Sequence, residues 1–206
     1  MKLYHQKLLL LFLGVFIAAC APTAVPTQQP TVQEPQVAPV ADFYLLDTRT
    51  GIEEIDTVLD AIAHADVQRQ RDLINFITAP CTFAEGLGGP PKCRQAETEG
   101  TELEVLPFLG GEGTFLRRDE SVEWGGVEAL ALYAIYRVSE NVNQEEYYPA
   151  GEYAVMFIAP SNRPAISVRV NEGGIVRIDH IFDTSPEALN AIIEREAAEV
   201  ILAPKS

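Results

Sequence analysis

Histidine, cysteine, tryptophan and methionine are all scarce in this 206-residue chain, at three, three, one and two residues. With His5 near the extreme N-terminus, only His64 and His180 are left for imidazole chemistry in the body of the chain. No Gly-x-Ser-x-Gly elbow, His-Glu-x-x-His pair or phosphate-binding P-loop occurs, so the common motif-borne hydrolase, zinc-protease and nucleotide sites are not written here. Positive charge is short too: 15 Lys and Arg face 30 Asp and Glu, a net charge of −15. Such a surface repels phosphate backbones and anionic lipid heads, which excludes nucleic acid as a partner. No internal repeat and no strand–helix alternation is present, which argues against a doubly wound parallel sheet. Apolar residues nevertheless make up 47% of the chain, more than a disordered polymer carries.

The N-terminus departs from this acidic background. Met1–Lys7 holds Lys2 and Lys7 and no acid, Leu8–Ile17 is almost continuously apolar, and Ala18, Ala19 and Cys20 follow. The apolar run falls short of the roughly 20 residues that span a bilayer and has the length and flanks of a secretory signal. Ile17-Ala18-Ala19-Cys20 resembles the lipobox of bacterial lipoproteins. The resemblance implies a signal peptide over 1–19, cleavage before Cys20, and fatty chains such as palmitate anchoring that cysteine. Each buried CH₂ is worth about 0.8 kcal/mol, so two or three long chains hold a protein on a membrane almost permanently. The implied location is the cell membrane or cell surface, on the extracytoplasmic side, with the membrane itself as a partner. The processed chain would carry 13 bases against 30 acids, near −17. Residues 20–41 then comprise the lipidated cysteine and a tether bearing Pro22, Pro26, Pro30, Pro35 and Pro39. Such a segment spans about 25 Å as a coil and about 60 Å when extended.

With Cys20 acylated, Cys81 and Cys93 are left as an even pair in an oxidising compartment, and a disulfide is expected between them. They enclose Gly86, Gly88, Gly89, Pro90 and Pro91, a loop with little order of its own. A bond closing it would stabilise the fold by roughly 3 kcal/mol in the chain-entropy model. Zinc is the rival use of paired cysteines, but no further cysteine or nearby histidine completes a ligand set. Neither a metal nor a cofactor is expected.

Residues 42–206 read as one α+β domain. The expected architecture is an N-terminal helical hairpin packed on a curved antiparallel sheet of four to five strands, plus a C-terminal helix. Thr50–His64 has a helical stripe of Ile52, Ile55, Leu59 and Ile62, with Thr50 and Glu53 at capping-box spacing. Asp66 is placed to cap a second helix running to about Thr78, which Pro80 stops. Strands are expected over Glu102–Phe108, Thr114–Arg118, from about Leu130 to Val138, and over Gly151–Ala159. Gly151–Ala159 is apolar on both faces and so reads as central. Val127–Val138 also fits a helical period, and a short helix or loop is expected around Trp124–Ala129.

Ala165–Asp183 reads as a hairpin. Ile166, Val168 and Val170 share one face, as do Val176, Ile178, His180 and Phe182. A three-residue loop, Asn171-Glu172-Gly173, would align the two sets by pairing Val170 with Gly174. The opposite face then carries Ser167, Arg169, Ile175, Arg177 and Asp179. Ser185-Pro186-Glu187 starts a last helix, whose apolar side is Leu189, Ile192, Ile193, Ala197 and Val200 and which Pro204 ends.

Helices followed by a strand meander are similar, in element order alone, to NTF2-like and cystatin-like architectures. That likeness implies a ligand pocket on a concave sheet face. Cys81–Cys93 with its Gly-Pro-rich interior also resembles uncharacterised bacterial surface lipoproteins, which implies no chemistry. Arg169, Arg177 and Asp179 are the candidate ligand-binding residues: two arginines on a non-core sheet face could hold an anion such as a carboxylate. The plainer alternative is solvent-facing arginines paired with neighbouring acids. Tyr133, Tyr136, Tyr147 and Tyr148 could supply aromatic walls. His180 reads as a core or edge residue, and His64 as a helix end. A non-enzymatic module binding a small anion or an envelope protein is favoured. A hydrolase or isomerase using sheet-pocket carboxylates, and a structural envelope component, stay open.

Overall fold

The computed structural model describes residues 42–86, 88–109, 114–142, 146–160 and 163–205. The expected signal peptide, Cys20, the tether and the Gly110–Gly113 turn lie outside the described residues. The chain is mixed α and β, with a large open sheet of eight strands and few helices. In chain order the elements are α1 (Glu53–Ala63), α2 (Val67–Asp72), β1 (Ile77–Pro80), β2 (Glu102–Leu109), β3 (Thr114–Arg117), a 3-10 segment (Arg118–Glu123), β4 (Ala131–Val138), β5 (Tyr153–Ile158), β6 (Ala165–Asn171), β7 (Gly174–Ile181), α3 (Pro186–Glu196) and β8 (Ala197–Leu202).

Strand order is β1-β2-β7-β6-β5-β4-β8, with β3 on the other side of β2. The four consecutive strands β4 to β7 form the expected antiparallel meander. Eight strands rather than four or five are present, and the sheet is not wholly antiparallel, because β2 meets β7 in parallel at Phe108 and Leu109. Strand β5 is an inner strand, between β4 and β6, and is buried on both faces as its composition implies.

Two of the additional strands, β1 and β8, come from segments assigned to helices. The second helix stops at Asp72. Asp66 does cap it, accepting from the Arg69 amide at 3.0 Å, but the β-branched run Ile74, Ile77 and Thr78 favours extended backbone, and Ile77–Pro80 pairs with β2. Pro80 lies at that strand's end, where a missing amide is tolerated. Ser185 likewise caps α3, accepting from the Ala188 amide at 3.3 Å, yet the helix ends at Glu196. Ala197–Leu202 leaves it to pair with β4. Thr50 and Glu53 do not form a capping box. Instead the Asp56 carboxylate accepts from the Thr50 amide, the Thr50 hydroxyl and the Gly51 amide at 2.7, 2.9 and 3.0 Å. Burial pushes the Asp56 carboxyl up, but these bonds outweigh it and hold it below its ordinary value.

The β6–β7 turn corrects the expected register. Val170 pairs with Ile175 and Asn171 with Gly174, so the loop holds two residues, Glu172 and Gly173, both at positive φ. That is the backbone signature of a tight hairpin whose twist suits its strands. Such a loop alone would put the apolar sets on opposite faces. A bulge between Arg169 and Val170 repairs this: one extra residue on β7, Val176, restores the pairing of Arg169 with Arg177 and Val168 with Ile178. Ile175 therefore enters the core, and Arg177 and Asp179 keep the face shared with Arg169.

Two apolar clusters flank the sheet. One joins Ile55, Val58, Leu59 and Ile62 of α1 to Leu106, Ile135, Phe157, Val168 and Ile178. The other joins Leu189 and Ile193 of α3 to Tyr136, Ala154 and Met156. Arg169, Arg177 and Asp179 stand on the α3 side.

Candidate functional site

The hairpin sets Arg169 directly opposite Arg177 and Ser167 opposite Asp179. Facing cations on neighbouring strands repel, and the arrangement is relieved by carboxylates. Asp179 accepts from Arg169 Nε at 2.8 Å, and from Arg177 Nε and Nη2 at 2.7 and 3.0 Å. Glu196, the last residue of α3, accepts from Arg169 Nη2 at 2.6 Å, from Arg195 Nη2 at 2.7 Å and from the Tyr136 hydroxyl at 3.1 Å. Arg177 Nη1 also donates to the carbonyls of Tyr148 and Pro149, at 3.3 Å each. The network thus ties together β4, β6, β7, the end of α3 and the segment before β5.

This place is not solvent-facing. Arg169 is 2% exposed, and Arg177, Asp179, Glu196 and Ser167 are also buried. The arginines are paired with acids, as the plainer alternative held, but in the interior. Here a charge is tolerated only when its donors and acceptors are met. Burial acts against Arg169's charge, but the two carboxylates and Tyr136 outweigh it and hold its pKa above the ordinary value. Burial pushes the Glu196 carboxyl up, but Arg169 and the bonds from Arg195 and Tyr136 bring it below its ordinary value. Burial drives the Tyr136 hydroxyl strongly upward, so it stays a neutral donor.

Two polar atoms in this cluster have neither contact with solvent nor a hydrogen-bond partner among the described residues: the Ser167 hydroxyl and Arg169 Nη1. Their residues line a recess of about 310 Å³ between β6, β7 and α3, together with Arg177, Asp179, His180, Ile181, Ile192, Arg195 and Glu196. Arg195 stands at the rim, its side chain 67% exposed. Three guanidinium groups against two carboxylates leave the lining one positive charge in excess.

The structure brings all three candidate residues together and adds Glu196, Arg195, Ser167 and Tyr136. Glu196 lies seven residues after Leu189 and three after Ile193, so it falls on the apolar side of the helical pattern. An acid in an apolar stripe facing two sheet arginines was the signal available for it. Of the tyrosines, Tyr136 reaches the network by its hydroxyl, and Tyr148 by its carbonyl. Tyr133 donates instead to Asn190 at 2.8 Å, and Tyr147 does not line the recess. His180 turns its ring to within 6.0 Å of Phe108, the packing role expected of it. The His64 ring meets the Asp60 carbonyl at the end of α1, at 2.9 Å.

Cys81 and Cys93 are joined in a disulfide. Glu97 lies beside the sulfurs, but its carboxylate takes Arg117 Nη1 and Nη2 at 2.5 and 3.0 Å. That pairing, with the Arg94 amide, brings Glu97 down to about 2. Among the described residues no helix is long and apolar enough to cross a membrane. No family model, no curated protein and no solved structure matches the chain.

Proposed function

We propose that this chain is a lipid-anchored, extracytoplasmic binding module whose recess at Arg169, Arg177 and Asp179 takes a small anion. One observation carries the ligand half: a recess whose one excess positive charge is Arg195 at its exposed rim and whose buried residues hold a hydroxyl and a guanidinium nitrogen without partners among the described residues. Buried donors left unmet cost free energy, and an anion supplies both the missing acceptor and the missing charge. A binding role suits the carboxylates better than acid–base chemistry does. Glu196 is held ionised, the opposite of what a general acid needs. The anchoring half rests on the lipobox-like Ile17–Cys20 and the proline-rich tether. The finer architecture belongs to the same reading: a helical hairpin on one sheet face, as in NTF2-like and cystatin-like domains, leaves the other face to α3 and the ligand recess beside it.

Two measurements test it. Calorimetric titration of the full-length chain in detergent with acetate and with sulfate, at constant ionic strength, should show one site for an anion. Arg195→Ala, a rim substitution, should weaken it about tenfold, the size expected when one charged hydrogen bond is lost. No heat and no rise in melting temperature with either anion would defeat the ligand half. Cys20→Ala should yield non-acylated protein, soluble or held only by its uncleaved signal, in a fractionation read by mass spectrometry. Full acylation of that variant would defeat the anchor.

A further inference from the structure

Resting on the anion reading above, we infer that the recess selects a singly charged carboxylate bearing a short apolar chain. Three features of the lining set that class. First, the charge excess is one: Arg169, Arg177 and Arg195 against Asp179 and Glu196. A monoanion brings the set to neutrality. The four buried groups, Arg169, Arg177, Asp179 and Glu196, already balance, so the excess is that of Arg195 at the exposed rim, and the second charge of a dianion would have no partner beside those buried groups.

Second, the unmet groups at the floor number two, the Ser167 hydroxyl and Arg169 Nη1, and both belong to residues nine-tenths or more buried. A carboxylate has two oxygens in one plane and can accept from a hydroxyl and a guanidinium together. Tetrahedral oxyanions bring further oxygens that this floor does not meet. Neither atom touches solvent, so a ligand entering at the rim, where Arg195 is the exposed guanidinium, meets them only as the side chains above them give way.

Third, the remaining walls are apolar. Ile181 at the end of β7 and Ile192 on α3 both line the recess and are half-buried. They offer a surface that a chain of a few methylenes would cover. A volume of about 310 Å³ lies at the lower end of ligand cavities, which confines the ligand to a small molecule.

The test is a titration series on the full-length chain in detergent: acetate, propionate, butyrate and sulfate at equal ionic strength. Affinity should rise about fourfold for each added methylene, and sulfate should bind at least tenfold more weakly than butyrate. Ile192→Asn should flatten the chain-length series while leaving acetate within about twofold. Ile192→Ala, which keeps a strong helix former on α3, repeats the test with less risk to folding and should roughly halve the slope on a logarithmic scale. If acetate and sulfate bind alike and chain length has no effect, this inference falls while anion binding stands. If no anion binds at all, the anion reading falls with it.

Discussion

Replacing Arg169 with methionine should destabilise the protein by about 3–5 kcal/mol at pH 7, the range for stranding buried charges by removing their partner. Methionine is near enough in volume to fill the space, so the loss reports charge rather than a cavity. Among the described residues, Arg169 is the one side chain that bonds both Asp179 and Glu196. Without it, Arg177 still holds Asp179, whereas Glu196 keeps only Tyr136 and the exposed Arg195. The pH dependence identifies the mechanism. In the native protein the folded Glu196 carboxyl lies below its ordinary value. Its contribution is therefore present above that ordinary value and is lost as pH falls through the folded one. In the variant burial acts with far less opposition and pushes the carboxyl upward. The folded state then gains by taking up a proton, and the gap between the two proteins should narrow between pH 6 and pH 4. Adding Glu196→Gln to Arg169→Met should recover part of the loss at pH 7. Urea unfolding at both pH values measures all of this, and a gap under about 1 kcal/mol at pH 7, the worth of a surface pair, would show that the network is not a desolvated one.

Breaking the Cys81–Cys93 bond is the second large perturbation. The double substitution Cys81→Ser, Cys93→Ser should lower stability by roughly 3 kcal/mol through the freed chain entropy of the unfolded state. Local structure would not vanish, because the bases of the loop are also held by backbone bonds. The Cys81 amide donates to the Thr101 carbonyl at 2.9 Å, and the Gly100 amide to the Cys81 carbonyl at 2.8 Å. The Thr82 amide donates to the Pro91 carbonyl at 2.9 Å and the Thr82 carbonyl accepts from the Cys93 amide at 3.0 Å, so the stretch between them is the weaker part. There the Tyr148 hydroxyl donates to the Gly89 carbonyl at 2.9 Å, and Tyr148 in turn offers its own carbonyl to Arg177. Hydrogen exchange should therefore quicken first over residues 88–93 and next around Tyr148, with the α1 face of the core unchanged. A denaturation midpoint that moves by less than about 1 kcal/mol equivalent would count against the entropic account.

Side-chain period made the inner meander readable. Ile166, Val168, Val170 and Ile178 alternate cleanly, and the alternation alone placed Arg169, Arg177 and Asp179 on one face. It could not place the bulge at Val176. A two-residue turn plus one extra residue and a three-residue turn without one give the same face to nearly every side chain. Only Ile175 distinguishes them, and it went to the wrong face. Helix ends misled for another reason. Ser185 and Asp66 mark where helices start, because capping is local chemistry. Where α2 and α3 stop depends on whether a sheet edge waits beside the next residues, and β2 and β4 are far away in the chain. Glu196 was missed by the same route: continued as helix to Pro204, its stretch gave no reason to look for a junction at which a carboxylate meets the sheet.

The two ends of the described chain meet at the outer side of β4. Tyr44 forms a bridge with Leu132, and its hydroxyl donates to the Ala203 carbonyl at 2.8 Å. Lys205 donates to the Phe43 carbonyl at 2.6 Å and stands 4.8 Å from the Tyr44 ring. Strand β8 covers the rest of that side. A nascent chain consequently carries Ile135-Tyr136-Arg137-Val138, the part of β4 that β8 covers, as a bare, sticky margin until its final residues have been delivered. Closure spans 159 positions, and contacts so remote in sequence form late and slowly. The hazard of aggregation is greatest in that interval, so a truncation of only a few C-terminal residues would harm solubility out of proportion to its length.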